Sequence, residues 1–440
     1  MTLTEKYAKR IKIAESVYSG SHQGQVMDSN RKLMVATALN NVNKFLNEAF
    51  SSADATQRSA MGDYKKFCLN LTNVSLPNLI APELVITHPM TSMTGYVAYI
   101  EYTTGGKQKG ETAPDTILNN PFRLGDAQTD YTSSAVVESV DTFTSGTTKL
   151  AWLPVAKKDD GKFDVRFLDV NGSELTVTGD VTVAADGTVT ATVTGDVKKI
   201  AYRYDNVVIP QNDLPVLKAA MKSIPLLAKA RRIAVYYSQI AAFQAKTDYG
   251  FDLGDQLAEK AVGELQYEID TEVVNLLEKT ADGNAVKIPA WSRTLPVGVS
   301  KREHYAGFAE QVEIARQVIY DKTKRFAPNW MIISSSILPV LTFIDGFKAA
   351  PATNINGPYF AGTLNSLKVY VSPSLVTDKY LIGVNGSDMM SAVAVYAPYM
   401  PIVPTSLLQF ADGGNSQGFS TLYDLKVLNA DLVVEGTIVA

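Results

Sequence analysis

The chain has 440 residues, 46% of them hydrophobic, enough for two to four folding units around a large buried core. Its 41 basic and 45 acidic residues leave a net charge of −4 without a lysine or arginine cluster, which argues against gripping nucleic acid as the main task. The single cysteine, Cys68, excludes an intramolecular disulfide framework, and no apolar run approaches the roughly 18–20 residues that span a bilayer.

The opening MTLTEKYAKRIKIAE is too charged for a secretory signal, so a soluble chain folding in a reducing cytoplasm is expected. Met1 to Gly24 reads as a polar arm that orders only against a neighbour. From Asp28 to Phe50, the positions Leu33, Leu39, Val42, Phe45, Leu46 and Phe50 predict an amphipathic helix ending in the polar run Ser51 to Asp54. Residues 67 to 90 carry Pro77, Pro82 and Pro89, which predicts an extended ribbon with one short helical turn at most.

Alternation of Tyr96, Ala98, Ile100 and Tyr102 against Val97, Tyr99 and Glu101 predicts a strand running into a turn-rich tip, Gly105 to Gly110. Between Asp141 and Asn206 the composition shifts to Thr, Val, Gly and Asp. Short alternating strands there, separated by Gly179-Asp180, Asp186-Gly187 and Gly195-Asp196, predict a small inserted antiparallel sandwich of immunoglobulin-like texture. Leu214 to Ala220 reads as helix, followed by a strand and a second helix.

The strongest helix spans Phe251 to Lys279. Leu253, Leu257, Ala261, Leu265, Ile269, Val273 and Leu276 fall on one stripe, with Glu259, Glu264, Glu268 and Glu272 turned away and Asp252 placed to cap the first turn. At roughly 1.5 Å per residue it extends about 40 Å, a rod suited to bracing a flat subunit. Tyr305 to Phe326 is a further helix, carried by Phe308, Val312, Ala315, Val318 and Ile319. NWMIISSS, LKVYVSP, KYLIGVNG and SAVAVYAPYM are strands, and the C-terminus holds two more around Asn429-Ala430-Asp431. Helices and strands mix without regular βαβ alternation, so the fold class is α+β.

Chemistry-bearing patterns are sparse. His22, His88 and His304 have no second His or Cys at metal-ligand spacing, so exposed or hydrogen-bonded side chains are expected. Lys107 and Lys109 sit among glycines but lack the GxxxxGK[ST] order of a phosphate loop. Ser334-Ser335-Ser336 lacks the setting of a nucleophile elbow and reads as helix capping. Glu264 and Glu268 lie one turn apart without histidines, which favours a solvated or inter-subunit face over a di-metal site, and Asp159, Asp160, Asp164 and Asp169 lack the EF-hand order. Tyr396 and Tyr399 fit either an inter-subunit contact or the core. No catalytic, cofactor-binding or metal-binding residue is assigned.

The collinear set NLIAPELV, HPMTSMTGYVAYIEY, ARRIAVYYSQIAAFQAKTDYGFDLGDQLAEKAVGELQYEIDTEVVNLL, FAGTLNSLKVYV and VAVYAPYMP resembles the major capsid proteins of tailed bacteriophages, above all the contractile-tailed T4-like branch. The resemblance covers about Asn70 to Val140 and Met221 to the C-terminus; the insertion carries no motif of it. It implies an HK97-type capsid fold. Residues 1–76 would be the N-terminal arm, 77–98 strands of the peripheral domain, and 99–130 the E-loop, with Lys107 and Lys109 near its tip. Residues 131–141 and 207–290 would be the peripheral domain, including the spine helix 252–279, and 142–206 the β-rich insertion. Residues 291–417 would form the axial domain, with Ala350 to Pro358 near the capsomer axes, and 418–440 the returning peripheral strands.

The resemblance also implies a non-enzymatic shell subunit that partners itself in hexamers and pentamers. Portal, scaffolding and decoration proteins would be further partners. Packaged double-stranded DNA would be touched only non-specifically, no membrane would be involved, and assembly would occur in the host cytoplasm. Such proteins lose an N-terminal segment to a protease cutting after glutamate in Leu/Ile-x-Glu, a loose pattern that Ile13-Ala14-Glu15 and Leu46-Asn47-Glu48 both fit. The alternatives are an encapsulin-like compartment, or a carbohydrate-binding or hydrolytic protein working through the insertion.

Overall fold

In the computed structural model the described residues are 2–21, 26–49, 65, 67–105, 107–108, 111–112, 136–142, 149–150, 153–158, 160–169, 173–205, 216–284, 287–323, 326–350, 357–405, 407–411 and 413–439. The expectations for His22, Ser51 to Asp54, Lys109, Asp159, the E-loop beyond Thr112 and most of Ala350 to Pro358 lie outside them. The chain divides into one unit of Met1–Tyr99 with Ser223–Ala440, and another of Ile100–Lys222. Thr94–Gly105 and Val216–Leu227 pair as a two-stranded ribbon.

The first unit is built on the helix Leu253–Asp282. Its start follows from the sequence: Asp252 Oδ1 accepts from the backbone N–H of Gly254 (2.9 Å) and Asp255 (3.4 Å), satisfying donors that the first turn leaves free. The expected stripe is buried at Ala261, Leu265, Ile269 and Val273, and then continues through Val274, Leu277 and Ala281. Leu276, one position aside, is only half-buried. An interaction period of 3.6 residues drifts across a 30-residue helix, so a fixed stripe cannot be followed to its end.

Two sheets flank this unit's core. One runs in the order Ile86–Thr87, Ala394–Pro404, Gly414–Val427, Lys229–Ser238, with Leu408–Gln409 also paired to Gly414–Val427. Its edge strand alternates, with Ile233 and Val235 packed against Ala261, Leu265, Ile402 and Phe419 while Arg232, Ala234 and Tyr236 face outward. The other sheet has seven strands, in the order Trp291–Ser292, Val433–Val439, Lys379–Gly383, Trp330–Ile333, Leu367–Val371, Tyr359–Leu364, Phe347–Ala349. Every residue of Trp330–Ile333 is buried, the signature of a central strand covered on both faces. Helix Phe308–Thr323 packs here through Phe308, Val312, Ala315 and Ile319, and is separated at Gly307 from Lys301–Ala306. The class is α+β, with mixed parallel and antiparallel pairing.

Four expectations are corrected. The N-terminal segment does not wait for a neighbour: Leu3–Lys6, Ala8–Ser21 and Ser29–Ala49 are helices. Ile11, Ala14 and Tyr18 share this unit's main core with Met34, Val35, Leu39, Val42 and Leu46, because their three- and four-residue steps make a narrow apolar stripe even in a polar stretch. Residues 67–75 are helical rather than extended, since Pro77 restricts only the residue before it and nothing upstream breaks the helix. The predicted helix at Leu214 to Ala220 is instead the start of strand Val216–Leu227, where pairing with Thr94–Gly105 overrides local propensity. The serines of 334–336 do not cap the helix Leu338–Leu341, whose N-cap is Ile337. Ser334 and Ser336 instead accept from the backbone N–H of Asp378 (3.0 and 3.1 Å), holding that residue at φ 63°.

In the second unit, Val136–Thr142, Lys199–Asp205 and Val165–Leu168 form a three-stranded antiparallel sheet, and Val177–Val183 pairs with Val189–Val193. Val136–Thr142 is paired along its whole length, so the β-rich layer begins before residue 142. The two sheets share one apolar cluster, including Phe167, Ile200, Tyr202 and Tyr204 with Val177, Val181 and Val189 against it. Asp186-Gly187 makes the expected turn, with Gly187 at φ 87°. Gly179, expected in a turn, lies inside a strand where the pairing register shifts, and its φ of 90° suits a bulge. Lys107–Gln108 and Glu111–Thr112 pair antiparallel, as a hairpin tip requires.

Candidate functional site

Among the described residues no group of three His, Cys, Asp or Glu side chains could hold a metal ion. His304 stacks on Trp291 with centroids 4.9 Å apart, and its Nε2 lies 2.9 Å from the Ser292 carbonyl. His88 is half-buried, which lowers its pKa. Glu264 and Glu268 are exposed, as the sequence reading required, and Asp160 and Asp169 accept backbone N–H groups of Lys162 and Ser173 in turns. Asp164 pairs with Lys158 (3.6 Å) and Arg203 (3.7 Å). Lys107 lies in the hairpin strand Lys107–Gln108. Tyr396 belongs to the core, its ring 5.6 Å from that of Tyr423, while Tyr399 is partly buried and its carbonyl accepts from Asn41 Nδ2 at 2.7 Å.

The charged groups that converge do so around the long helix and the proline ribbon. Glu83, near the end of helix Ala81–Leu84, receives Tyr18 Oη (2.8 Å) and Arg31 Nη2 (3.1 Å) on Oε1, and Lys368 Nζ (2.7 Å) and Tyr370 Oη (3.4 Å) on Oε2. Arg31 is itself buried, donates through Nη1 to the Pro77 carbonyl (3.1 Å), and lies 4.6 Å over the Tyr18 ring. Burial alone would raise the Glu83 pKa. Arg31 and Lys368, with hydrogen bonds from Lys368 and Tyr18, overcome it and hold the carboxyl at about 2. One carboxylate thereby joins helices Ala8–Ser21 and Ser29–Ala49, the ribbon and strand Leu367–Val371.

The long helix grips the same ribbon through Gln266 and Asp270, one turn apart. Gln266 Nε2 donates to the Ser75 carbonyl (2.8 Å), and Asp270 Oδ1 accepts from the N–H groups of Ile80 (3.0 Å) and Ala81 (2.9 Å). The N–H groups that the first turn of helix Ala81–Leu84 leaves free, and the carbonyl at the end of the helical stretch 67–75, are thus satisfied by side chains of the long helix. Complete burial raises the Asp270 pKa to about 7, even though the two N–H donors and Arg31 act to lower it.

Glu272, expected to point away, is another correction: it pairs with Arg231 (2.6 Å) and accepts the hydroxyl of Tyr423, fixing the helix to the five-stranded sheet. At the helix C-terminus, Lys379 lies 2.8 Å from Glu435, 3.7 Å from Glu278 and 3.8 Å from Asp282, a cation where the helix dipole favours one.

The sequence reading missed Glu83, Arg31 and Asp270. A signal for Asp270 existed, since Asp270, Val274, Leu277 and Ala281 repeat at four- and three-residue steps and are all buried. What this arrangement can do is hold a long rod rigid against a sheet, a ribbon and the N-terminal helices.

The chain is similar to several known proteins. The chain is 28% identical over 224 residues to the major capsid protein of Vibrio phage KVP40, covering 46% of this chain and 43% of that one. It is 23% identical over 412 residues to that of Escherichia phage AR1, covering 82% and 74%. It is 26% identical over 230 residues to that of Enterobacteria phage T4, covering 46% and 42%. The chain therefore spans under half the length of the KVP40 and T4 proteins it matches, and about three quarters of the AR1 protein. Among solved structures, a Microbacterium phage Oxtober96 chain is similar at a TM-score of 0.34 and 14% identity, covering 70% of this chain and 87% of that one. The SrpI encapsulin of Synechococcus elongatus is similar at 0.34 and 13%, covering 50% and 77%. The model of the family described as major capsid protein Gp23 matches residues 61–438, which is most of the sequence and includes the ribbon, the long helix and both sheets. With that match, the chain belongs to the major capsid protein Gp23 family.

Proposed function

We propose that this chain is a non-enzymatic tile of an icosahedral phage head, built from hexamers and pentamers of itself around packaged double-stranded DNA. The family match over residues 61–438 carries this reading. In it the fold is of HK97 type, with Leu253–Asp282 as the spine helix, residues 99–130 as an E-loop laid over a neighbour, 291–417 as the axial domain and 142–206 as an insertion reaching decoration proteins or neighbouring subunits. Portal and scaffolding proteins are further partners in the host cytoplasm. DNA is touched only non-specifically, in keeping with a net charge of −4.

The work performed is association. Each contact is weak, because ordering costs offset much of the roughly 25 cal/mol gained per Å² of apolar surface buried. Repetition through a closed lattice sums these contacts by multivalency. Deleting Thr104 to Lys109 tests the reading: a soluble, folded subunit that fails to close shells is expected in negative-stain micrographs, and normal particles would count against it.

A further inference from the structure

Basic side chains scattered between residues 6 and 65 of the sequence gather on the N-terminal helices. Residues 1–49 carry seven lysines and arginines against four aspartates and glutamates, in a chain whose net charge is −4. Two of the seven are neutralised, Arg31 by Glu83 (3.1 Å) and Lys32 by Glu15 (2.7 Å). Lys6, Arg10 and Lys65 are held by amides instead. Asn40 Oδ1 accepts from Lys6 Nζ (3.3 Å) and Tyr7 Oη (3.5 Å), Asn70 Oδ1 from Arg10 Nη1 (3.2 Å), and Asn47 Oδ1 from Lys65 Nζ (2.9 Å).

Asn40, Lys44 and Asn47 recur at four- and three-residue steps, so they share one face of helix Ser29–Ala49. Along that face Lys6, Lys44 and Lys65 stand in file, with the exposed Lys44 between two amide-held ammonium groups. On helix Ala8–Ser21, Lys9 and Lys12 are exposed on the side away from buried Ile11, Ala14 and Tyr18. Among the described residues no ion pair joins Lys6, Lys9, Arg10, Lys12, Lys44 or Lys65 to a carboxylate. Glu5 accepts the Thr2 N–H (2.8 Å), and Glu48 lies one turn beyond Lys44.

A cation backed by a neutral amide keeps its whole charge for an external anion, and lysine supplies that charge as a point on a flexible stem. Such groups suit phosphates contacted without regard to base sequence. Ile13 is the single large apolar side chain exposed on helix Ala8–Ser21, which falls short of the apolar centre that a protein partner would need. Six charges give one subunit only a weak hold on a polyanion, and repetition over a shell sums them.

We propose that this amide-backed cation face is where the subunit touches packaged double-stranded DNA. The inference rests on the shell reading, which supplies the polyanion, and goes beyond it in naming the contact residues. The test measures binding of the full chain to a labelled random-sequence duplex by fluorescence anisotropy, over a series of salt concentrations. Wild type is compared with the combined Lys9→Gln, Lys12→Gln, Lys44→Gln variant, with the Lys→Arg triple at the same positions, and with a control that removes equal charge elsewhere, Lys157→Gln, Lys199→Gln, Lys229→Gln. Circular dichroism checks that each is folded.

The first variant is expected to lose about tenfold or more in affinity at low salt and to flatten the slope of log affinity against log salt by about two to three, at roughly 0.9 for each phosphate contact removed. The arginine triple and the control should keep both. A loss no larger than the control's, or a wild type that does not bind the duplex at low salt, would overturn the surface; closed shells in micrographs of the same protein would leave the shell reading standing. Tighter binding to polyglutamate than to the duplex, lost in the first variant, would overturn DNA in favour of an acidic protein. Duplex binding lost in the first variant, from a wild type that never forms rings or shells, would support the surface and sink the shell reading.

Discussion

Replacing Glu83 by Gln removes one negative charge from a position where Arg31, Lys368, Tyr18 and Tyr370 all donate to it. The glutamine keeps the shape but turns an amide N–H2 toward cations, and Arg31 is left buried at 4% side-chain exposure without its counter-ion. The magnitude can be worked two ways. Lowering a carboxyl pKa from 4.5 to about 2 corresponds to on the order of 3 kcal/mol, at about 1.4 kcal/mol for each tenfold change in proton affinity. Breaking one side of a buried ion pair costs about 3–5 kcal/mol. Urea unfolding followed by circular dichroism should therefore show a loss of about 3–5 kcal/mol.

The same variant alters the acid limb. Because the folded-state pKa lies below the unfolded value, the Glu83 contribution is full above pH 4.5 and is lost as pH falls through 4.5 toward 2; Glu83→Gln should not show this component. Combining Arg31→Met with Glu83→Leu should recover only part of the loss, since it removes the buried cation together with its counter-ion but still takes the Glu83 acceptor from Lys368, Tyr18 and Tyr370. A Glu83→Gln cost below about 1 kcal/mol would refute the reasoning.

Asp270 acts in the opposite direction. Its folded-state pKa of about 7 lies above the ordinary 3.8, so its contribution is full below pH 3.8 and is lost as pH rises toward 7; Asp270→Asn should flatten the melting temperature across that window. Persistence of the slope in the variant would show that another group causes it. Gly383 admits no side chain, because a Cβ there would stand 2.2 Å from the Trp330 ring, and Gly383→Ala should cost about 1–3 kcal/mol in chemical denaturation.

Elements whose partners lie within their own periodic pattern were legible in the sequence. The long helix, helix Phe308–Thr323 and the strands Leu367–Val371, Lys379–Gly383 and Ala394–Pro404 all announce themselves through spacing and caps. Elements defined by distant partners were not. Val216–Leu227 becomes a strand only because Thr94–Gly105 pairs with it, and Ile11, Ala14 and Tyr18 become core only because the unit supplies a surface for them.

The same limit hid the charged centre. Glu83 draws its donors from residues 18, 31, 368 and 370, so no local window contains the site. Asp270 looked like one more acidic residue on an acidic helix, and Glu272 likewise, until Ile80, Ala81, Arg231 and Tyr423 were placed beside them. Family resemblance filled part of this gap, because a collinear set of motifs reports on long-range arrangement that no single periodicity encodes.

Negative-stain electron microscopy of the purified wild-type chain, paired with sedimentation, tests the central claim most directly. Five- and six-membered rings or closed shells are predicted, growing with protein concentration. Uniform single subunits at every concentration would contradict it.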